Sequence, residues 1–363
     1  MKTIIYVSKT DSSADCSTIQ EALDLLSPQM SAEEKYTPAS IRLDAGVYYE
    51  KLHIKIPNLT LEGDSANKTV IRYDDYAYEM MSDGKKRGTF RSYTLLVDAE
   101  HVTLKHLTVE NASAPSVTCG QAIALYADGD HFACCDCRLI GKQDTLFVGP
   151  LPEKEYEPGG FRGPKEHAPR IPTHQYYRNC YICGDVDFIF GSGSACFDHC
   201  TIHSLMRNES TSVQGYVAAA STPKDADYGF IFSHCTLTSD CPPHSVFLGR
   251  PWRDYAQTVY LNCTYGAHIH PSGFDDWGKT HAHETILFAE YACVLENTVS
   301  ASASIAGRKL SGQTASLGDS LAPNPSGHQK RAGFVRQLSP EEAAHYEELL
   351  QQLRSACDSS IFR

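Results

Sequence analysis

A short segment that recurs along the chain constrains the fold more than any other feature of the sequence. Each copy is a short strand that ends in a turn signal, and the spacing between copies runs from 20 to 48 residues. Coils of roughly twenty residues with loops of variable length are typical of a parallel β-solenoid. The copies are NLTLEG at 58–63, HLTVEN at 106–111, CRLIG at 137–141, NCYICG at 179–184, HCTIHS at 199–204, HCTLTS at 234–239 and NCTYG at 262–266.

When the copies are aligned, one small or apolar residue falls in a single column. Aliphatic residues recur two positions later, and the two-residue period of a strand puts both columns on one face. We therefore predict an internal ladder of buried side chains that is rich in thiols. The column consists of Leu59, Leu107, Cys137, Cys180, Cys200, Cys235 and Cys263.

Some of these cysteines also have the spacing of metal ligands. CxxC pairs occur at 134–137 and 180–183, as in zinc ribbons. Residues three apart on a strand point to opposite faces, so the sequence favours buried thiols over a zinc site. Two H-x-H pairs, at 268–270 and 281–283, are interpreted as polar loop histidines. We predict no metal site.

The two ends of the chain differ in character from the repeats. Residues 17–27, STIQEALDLLS, place apolar residues on one helical face after a Ser or Thr N-cap. They predict a helix that caps the open end of the solenoid. Residues 339–355 predict a second helix, which follows a Ser-, Ala-, Gly- and Pro-rich segment at 301–333 that reads as irregular surface chain.

Charge and composition limit the classes of partner. The 363-residue chain has a net charge of -12, which argues against non-specific nucleic-acid binding and requires a local basic patch for any polyanionic ligand. The apolar run at 4–7 is too short for a signal peptide, and no stretch is long enough to span a membrane. With 14 cysteines expected to stay reduced, these features predict a cytoplasmic protein.

Two aspartates occupy the same place in consecutive coils. Asp144 and Asp187 each follow their column cysteine by seven residues. The segments GKQDTLF at 141–147 and GDVDFIF at 184–190 share the frame Gly-x-x-Asp-x-aliphatic-Phe. Apolar neighbours normally exclude an unpaired carboxylate, so both positions require a special reason.

Carboxylates at equivalent places on adjacent strands would lie about 4.8 Å apart. Their titrations would couple and one apparent pKa would rise, which is the outline of a nucleophile and a general acid. A polar ladder that ties turns to backbone N–H groups is the structural alternative. The apolar surroundings of both Asp144 and Asp187 favour the catalytic interpretation.

A Pro- and Gly-rich segment at 149–172 is inserted between the coils that carry these two aspartates. Its six prolines and four glycines indicate a structured loop rather than a strand, and we predict that it forms a wall of their cleft. We expect residues 1–300 to form one catalytic solenoid domain that carries this inserted loop. Residues 301–363 are expected to pack on the same domain.

The sequence resembles the pectin methylesterases, a family of carbohydrate esterases built on a right-handed parallel β-helix. The resemblance spans roughly residues 4 to 295 and depends on five motifs in the family's order. It implies an all-β fold and a substrate of pectin or methylated oligogalacturonides. We also predict no cofactor, because side chains supply every catalytic group, and a monomer. The motifs are GVYYE at 46–50, QAIAL at 121–125, QDTLF at 143–147, DFIFG at 187–191 and LGRPW at 248–252.

The resemblance also implies a role for each matching catalytic residue. Asp187 would attack the carbonyl of a C6 methyl ester, and Asp144 would protonate the departing methanol and then deprotonate water. Gln121 and Gln143 would donate hydrogen bonds to the developing oxyanion. Arg250 would hold Asp187 ionised and oriented.

The resemblance further implies that Trp252 is an aromatic platform for a sugar ring. Phe188 and Thr89 are also predicted to bind substrate, although Phe188, like Phe190, fits either the core or the lining of the cleft. Structural alternatives exist for most of these residues, because glutamines can form polar ladders, an arginine can form a surface ion pair and a tryptophan can lie in the core. The chain departs from the family pattern in its long 149–172 loop and in Phe274, where the family commonly has Trp.

Two other classes of protein use the same kind of scaffold. A hydrolase or lyase of the polygalacturonate backbone would need carboxylates that flank a glycosidic bond, or a calcium-binding acidic cluster with a basic residue. A non-catalytic carbohydrate-binding solenoid would use its aspartates only to bind sugar hydroxyls.

Overall fold

The computed structural model describes residues 4–26, 37–207, 210–296 and 331–361. In this part of the chain all 27 strands belong to three parallel sheets, and from β2 to β24 successive strands visit the three sheets in turn. Each coil therefore stacks on the coil before it. The predicted parallel β-helix is confirmed.

Sheet A has eleven strands in the described residues and is the longest of the three. Its strands are β1 (Ile4–Val7), β2 (Ala39–Leu43), β5 (Leu59–Gly63), β8 (Thr103–Lys105), β11 (Phe132–Cys135), β14 (His174–Arg178), β17 (Ser194–Asp198), β20 (Phe230–Ser233), β23 (Gln257–Leu261), β25 (Leu287–Tyr291) and β27 (Val335–Gln337).

Sheets B and C complete each coil. Sheet B contains β3 (Gly46–Tyr49), β6 (Thr69–Tyr73), β9 (Thr108–Asn111), β12 (Arg138–Ile140), β15 (Tyr181–Gly184), β18 (Thr201–Ser204), β21 (Thr236–Ser239), β24 (Thr264–Tyr265) and β26 (Val294–Leu295). Sheet C contains β4 (Leu52–Ile54), β7 (Leu95–Val97), β10 (Leu125–Ala127), β13 (Leu146–Val148), β16 (Val186–Gly191), β19 (Gly215–Ala220) and β22 (Val246–Pro251).

The cysteine column lies at the corner between sheets A and B and points into the coil. Each column residue from Leu107 to Cys263 is buried in the main core, as is the residue two positions later. The residue before each of them adopts a left-handed conformation, with φ near 50°, which Asn, Asp and His tolerate better than most residues. These corner residues are His106, Asp136, Asn179, His199, His234 and Asn262.

One member of the predicted column is misaligned. Leu59 begins β5 in sheet A, whereas the other members precede strands of sheet B. Because Val70 of β6 pairs with Thr108 of β9, the residue equivalent to Leu107 is Thr69. The segments at 58–63 and 106–111 share the dipeptide Leu-Thr, but the first leads into a strand of sheet A and the second into a strand of sheet B. The alignment therefore compared different corners of the coil.

The reasons given against a metal site need correction. Cys134 and Cys137 both point into the core, because the chain turns the A–B corner between them, and the Cys180 thiol lies 3.8 Å from that of Cys134. Burial raises the pKa of the Cys180 thiol well above its ordinary value, which suits an inert core residue. His268 is also buried, so it is not the polar loop histidine that we predicted.

Stacked aromatic rings fill the interior beside this column. The rings of Tyr177, Phe197, Phe232 and Tyr260 follow one another on successive strands of sheet A, with centroids 4.8, 4.6 and 4.5 Å apart. In-register pairing of parallel strands repeats each inward position at the strand spacing, so flat rings stack. The sequence repeats alone did not reveal this ladder.

Both predicted terminal helices are present. Helix α1 (Ile19–Leu26) buries its apolar face in the core, and Thr18 caps it by accepting a hydrogen bond from the Glu21 N–H at 3.2 Å. A short helix, α2 (Ser116–Cys119), and two 3₁₀ turns, Thr89–Arg91 and Thr280–Ala282, lie in connections.

The C-terminal helix α3 (Pro340–Ile361) packs on the outer face of sheet A. Leu350 enters an apolar cluster with residues of that face, and Arg354 forms two hydrogen bonds of 2.7 Å to Asp198. Most of the predicted irregular segment at 301–333 lies outside the described residues. None of the helices in the described part of the chain combines the length and apolarity that spanning a bilayer requires.

Candidate active site

The two aspartates meet on sheet C. Leu146 of β13 pairs with Ile189 of β16, and this register sets Asp144 and Asp187 side by side on neighbouring coils. Both are 7% exposed, and the Asp144 N–H donates to the Val186 carbonyl at 3.1 Å. The equivalence deduced from the seven-residue spacing is present in the structure.

A β-bulge turns Asp187 out of the coil. The pairing of β16 with β19 slips by one residue between Val186 and Ile189, and Asp187 itself adopts a left-handed conformation with φ of 49°. Asp144 does the same in its coil, with φ of 64°. The consecutive residues Phe188 and Ile189 both enter the core, which simple alternation would forbid.

This bulge overturns one predicted substrate contact. Phe188 is 0% exposed and belongs to the interior core, so it has no surface to offer a sugar. Phe190 projects to the outside of sheet C instead, where its ring lies 5.7 Å from that of Trp252.

Arg250, at the end of β22, holds Asp187 through a two-pronged ion pair. Its Nε and Nη2 donate to the two carboxylate oxygens at 2.8 and 2.6 Å. The guanidinium is also stacked between two rings, 3.9 Å from the centre of Tyr216 and 3.6 Å from that of Trp277. Hydrogen bonds and stacking together leave the arginine one orientation.

The electrostatic environment separates the two carboxyl groups. Burial, and then the charge of Asp187, raise the pKa of Asp144 well above its ordinary value. Burial also raises the pKa of Asp187, but the hydrogen bonds and charge of Arg250 oppose that shift. Asp144 therefore favours the protonated form and Asp187 the ionised form, since Arg250 contacts only Asp187 of the two.

One predicted oxyanion donor, Gln143, lies on the coil of Asp144, and the other, Gln121, lies on the preceding coil. Gln143 immediately precedes Asp144, and its carbonyl accepts the N–H of Ala122 at 3.0 Å. Gln121 stands beside Ala122, so the two glutamines come from neighbouring coils. Both are partly exposed, which leaves them accessible to a ligand.

An aromatic cluster covers the outer face of sheet C beside the carboxyl pair. Trp252 is partly exposed at its edge and packs on Phe190 and on Phe161 of the inserted loop. Thr89 is partly exposed and precedes Phe90, whose ring lies 5.0 Å from that of Phe147 in the same cluster.

The inserted loop is firmly attached to this face. Lys165 forms ion pairs with Asp98, which follows β7, and, at 3.0 Å, with Asp128, which follows β10. Tyr156 donates its hydroxyl to the carbonyl of Trp252 at 2.9 Å. The loop thus borders Trp252 on one side of the carboxyl pair, as a cleft wall would.

A third buried carboxylate connects two parts of the site. Asp185 accepts the hydroxyl of Ser116 at 2.5 Å and the N–H of Val186 at 2.7 Å. Ser116 opens α2, the short helix that leads to Gln121, while Val186 adjoins Asp187. Asp185 therefore joins the segment before a glutamine to the strand of the predicted nucleophile.

Within the described residues, one group of side chains is close enough to share a metal ion, and it lies on sheet A, away from the carboxyl pair. It consists of Asp198, His199 and His234. Asp198 already accepts hydrogen bonds from Arg354 and from Tyr176, so its oxygens are engaged within the protein. Asp198 instead helps to attach α3 to sheet A, apart from the carboxyl pair.

Sequence reasoning missed the aromatic partners of Arg250. Tyr216 carried no motif signal, whereas Trp277 stands in GFDDW, the segment singled out for its departure from the family pattern. In that segment Phe274 is 1% exposed and stacks on Phe288 at 4.4 Å. The Phe274 departure therefore affects the core and not the cleft.

A parallel β-helix that carries two adjacent carboxyl groups, one of them held by an arginine, is suited to a carbohydrate-active hydrolase. The sequence matches the Pectinesterase family over residues 5–151 and 169–312. The chain belongs to the pectinesterase family. The match is interrupted at 152–168, within the inserted loop, and it continues past residue 295, where the resemblance was expected to fade.

Individual relatives agree with this assignment. The chain is 30% identical over 302 residues to pectinesterase QRT1 of Arabidopsis thaliana, which covers 81% of this chain and 70% of that protein. It is 31% identical over 287 residues to pectinesterase 2 of Citrus sinensis, of which it spans 49%. A solved pectin methylesterase in complex with a hexasaccharide superposes with a TM-score of 0.69 at 27% identity, over 94% of each chain.

Proposed function

We propose that this chain hydrolyses the C6 methyl ester of galacturonosyl units in pectin or methylated oligogalacturonides and releases methanol. The observation that carries the proposal is the asymmetric carboxyl pair, in which Arg250 binds Asp187 with two hydrogen bonds while Asp144 stays buried without that contact. Family membership supports the same reaction. An oligosaccharide bound to a protein of the same fold supports the substrate class.

In the first half-reaction the ionised Asp187 attacks the ester carbonyl carbon. A new carbon–oxygen bond forms, and the carbonyl electron pair moves onto the oxygen. When this tetrahedral intermediate collapses, the methoxy group leaves with the proton of Asp144, as methanol. The sugar then remains attached to Asp187 as a mixed anhydride.

In the second half-reaction water hydrolyses the acyl-enzyme, and Asp144 acts as the general base. Asp144, now a carboxylate, takes a proton from a water molecule as the water oxygen attacks the acyl carbon. Collapse of the second intermediate restores ionised Asp187 and releases the galacturonic acid carboxyl group, which then loses its remaining proton to solvent. The proton acquired from water leaves Asp144 in its starting form.

Charge on the carbonyl oxygen requires donors that are in place before the reaction. Gln121 and Gln143 supply amide N–H groups from neighbouring coils, and each such donor contributes on the order of 3 kcal/mol to the transition state. Trp252 offers a partly exposed ring against which a sugar face packs. Thr89 borders the same aromatic cluster and supplies a hydroxyl for sugar contacts.

Methanol release by the wild-type protein from highly methylated pectin and from short methylated oligogalacturonides tests this function directly. We expect release from both substrates without any shortening of the galacturonan chain. Chain cleavage without methanol would support a backbone hydrolase or lyase. Sugar binding with neither reaction would support a carbohydrate-binding solenoid.

Removal of divalent metals should leave the reaction intact. The nucleophile, the acid and the oxyanion donors proposed above are all side chains, so no step draws on a metal ion. We expect the rate of methanol release after dialysis against EDTA to stay within about twofold of the untreated rate. A large loss that added Ca²⁺ or Zn²⁺ restores would contradict the mechanism.

The Ser116–Asp185 hydrogen bond should affect kcat more than KM. In Ser116→Ala the segment before Gln121 loses its link to the strand of Asp187, and small misplacements of catalytic groups are costly. We expect kcat to fall about tenfold while KM changes less than twofold. Ser194→Ala, which removes a similarly buried hydroxyl on sheet A, is the matched control and should retain wild-type kcat.

Asp185→Asn separates the charge of Asp185 from its hydrogen bonds. The amide still accepts the Val186 N–H and still contacts the Ser116 hydroxyl. The charge of Asp185 raises the pKa of Asp144, so its removal should move the basic limb of the pH–rate profile to lower pH. Loss of kcat in Ser116→Ala without such a shift distinguishes positioning from electrostatics.

Cellular location and oligomeric state stay predictions. Fractionation of the native host for this protein measures the first, and light scattering on the purified chain measures the second. Recovery of the native protein from the medium or periplasm would contradict the predicted cytoplasmic location.

A further inference from the structure

One buried lysine joins the inserted loop to the coils beneath it. The Lys165 side chain is 15% exposed, and its ammonium forms ion pairs with the carboxylates of Asp98 and Asp128. Asp98 has a second partner, because His53 Nε2 lies 3.0 Å from its other oxygen. The Asp128 side chain is 5% exposed, and across the described ranges Lys165 is the one cation within ion-pair distance of it. Asp128 therefore depends on Lys165 for its nearest counter-charge.

The loop is braced internally by Arg170, which holds its parts together as one unit. The guanidinium donates to main-chain carbonyls along the loop. The acceptors are Pro152 O at 3.2 Å, Lys165 O at 3.0 Å, Glu166 O at 2.8 Å and Ala168 O at 2.6 Å. Attachment at Lys165 therefore also constrains the rest of the loop.

Trp252, against which the sugar is proposed to pack, takes part of its support from this loop. The Phe161 ring lies edge-on to the Trp252 ring, with centroids 6.5 Å apart, and the Tyr156 hydroxyl donates to the Trp252 carbonyl at 2.9 Å. The loop is also seated closely on the coil below, since a β-carbon at Gly163 would lie 2.8 Å from the Phe90 carbonyl oxygen. Displacement of the loop would remove these contacts from the ring and the main chain of Trp252.

The charge on Asp128 decides how strongly the loop depends on its lysine. Burial raises the pKa of Asp128 to about 6, although the charge and the hydrogen bond of Lys165 oppose that shift. Burial also acts on Asp98, but the hydrogen bonds from His53 and Lys165 lower its pKa, so Asp98 stays ionised. At pH 8 the ammonium faces two carboxylates, whereas at pH 5 Asp128 is mostly protonated and needs no counter-charge.

The remaining groups around the two carboxylates do not reverse this trend. An imidazole gains positive charge on acidification, so His53 neutralises Asp98 better at pH 5 than at pH 8. The other titratable or charged side chains that face the two carboxylates keep one charge state across this range. They are Tyr93, Tyr126 and Arg170. Loss of the Lys165 ammonium is therefore more costly at pH 8 than at pH 5.

We propose that Lys165 is a positioning residue that seats the inserted loop and thereby holds Trp252 in place for the sugar. The inference rests on the proposed function and assigns a role within residues 152–168, which the family match leaves out. Lys165 forms its ion pairs with Asp98 and Asp128, apart from the carboxyl pair that carries out the chemistry. Its removal should therefore weaken substrate binding and leave the chemical steps unchanged.

Lys165→Gln removes the ammonium and should raise KM in a pH-dependent manner. At pH 8 we expect KM for highly methylated pectin to rise about tenfold over the wild type, with kcat within about twofold of the wild-type value. At pH 5 the rise over the wild type should be less than about threefold, because Asp128 is then mostly protonated. Asp128→Asn/Lys165→Gln removes both charges together and should restore KM at pH 8 to near the wild-type value.

Arg354→Gln is the matched control for the loss of a cation beside a buried aspartate. It leaves Asp198 without its two arginine hydrogen bonds, but at the place where α3 packs on sheet A. We expect this control to keep the wild-type KM at both pH values, although it loses stability. A rise in KM equal to that of Lys165→Gln would mean that general destabilisation is the cause, and it would overturn the positioning role.

Fluorescence emission from Trp252 gives a reading that does not depend on activity. The chain has two tryptophans, so Trp277→Phe leaves Trp252 as the single one. In this background Lys165→Gln should shift the emission to longer wavelength at pH 8, and the further change Asp128→Asn should reverse the shift. An unchanged KM at pH 8, or a rise of equal size at both pH values, overturns the positioning role. Absence of methanol release by the wild type would instead overturn the proposed function, while the emission would still show whether Lys165 seats the loop.

Discussion

The substitutions Asp187→Asn and Asp144→Asn should both abolish methanol release, but they should change the free energy of unfolding in opposite directions. Each variant removes a group that the proposed mechanism uses in both half-reactions. We expect kcat to fall by about 10⁴-fold or more in each. The stability difference arises because Arg250 contacts only one of the two carboxylates.

Asp187→Asn leaves Arg250 without its counter-ion. The guanidinium side chain is 15% exposed, and the amide can accept from only one of its two prongs. Loss of one charge-assisted hydrogen bond next to a mostly buried cation costs about 2 kcal/mol. Stacking on Tyr216 and Trp277 limits how far Arg250 can move to find another partner.

Asp144→Asn removes a carboxyl group that is harder to ionise in the folded protein than in the unfolded chain. The pKa of Asp144 is raised in the folded protein, so the folded state binds more protons than the unfolded state between the ordinary carboxyl pKa and the raised one. The free energy of unfolding of the wild type therefore falls as pH rises through this window. Asparagine has no such dependence and should make the protein more stable than the wild type at neutral pH.

Denaturant unfolding of the three proteins at pH 5 and pH 8, together with methanol assays, measures both effects. The advantage of Asp144→Asn over the wild type should be larger at pH 8 than at pH 5. Equal destabilisation by the two substitutions would contradict the asymmetry of the pair. Activity retained in Asp187→Asn would contradict its role as nucleophile.

The parts of the site that could be predicted are those that the coil repeats. Asp144 and Asp187 follow their column cysteines at the same interval, and in-register stacking converts equal intervals into adjacent positions. The inserted loop could be placed beside them because it connects the two coils that carry the aspartates. These inferences needed only the order of residues along one repeating path.

Departures from regular strand geometry could not be predicted in the same way. Alternation along β16 fails at the bulge, which is why Phe188 enters the core beside Ile189. Cys134 and Cys137 are buried in the core as predicted, but the expectation that they point to opposite faces was wrong because a corner of the coil lies between them. Both errors arise where a single left-handed residue, Asp136 or Asp187, changes the direction of the chain. The sequence does not specify backbone dihedral angles, so these changes of direction could not be predicted.

Contacts between distant coils could not be predicted from the sequence either. Tyr216 and Trp277 stack on Arg250 from different segments, and no fixed interval relates them because the loops vary in length. Tyr156 reaches the carbonyl of Trp252 from 96 positions away. Motif matching identified Arg250 and Trp252, but only the fold showed what surrounds them.

Arg250→Lys should lower kcat by about 10²-fold and move the acidic limb of the pH–rate profile to higher pH. Lysine retains a positive charge but cannot form the two parallel hydrogen bonds to Asp187 or stack as a plane between two rings. Arg250 opposes the rise in the pKa of Asp187 caused by burial, so a weaker partner lets that pKa rise further. A larger fraction of the nucleophile is then protonated at acidic pH and inactive.

Arg354→Lys provides a control with the same local geometry at a remote place. Arg354 also forms two hydrogen bonds to one carboxylate, that of Asp198. Burial raises the pKa of Asp198, but the hydrogen bonds from Arg354, Tyr176 and His199 together lower it to about 2. We expect this variant to lose stability through a weaker attachment of α3, while kcat and the acidic limb stay unchanged. An identical shift of the limb in both variants would mean that global stability controls the profile. A shift confined to Arg250→Lys would support Arg250 as the residue that keeps Asp187 ionised, because both substitutions replace an arginine that forms two hydrogen bonds to a carboxylate.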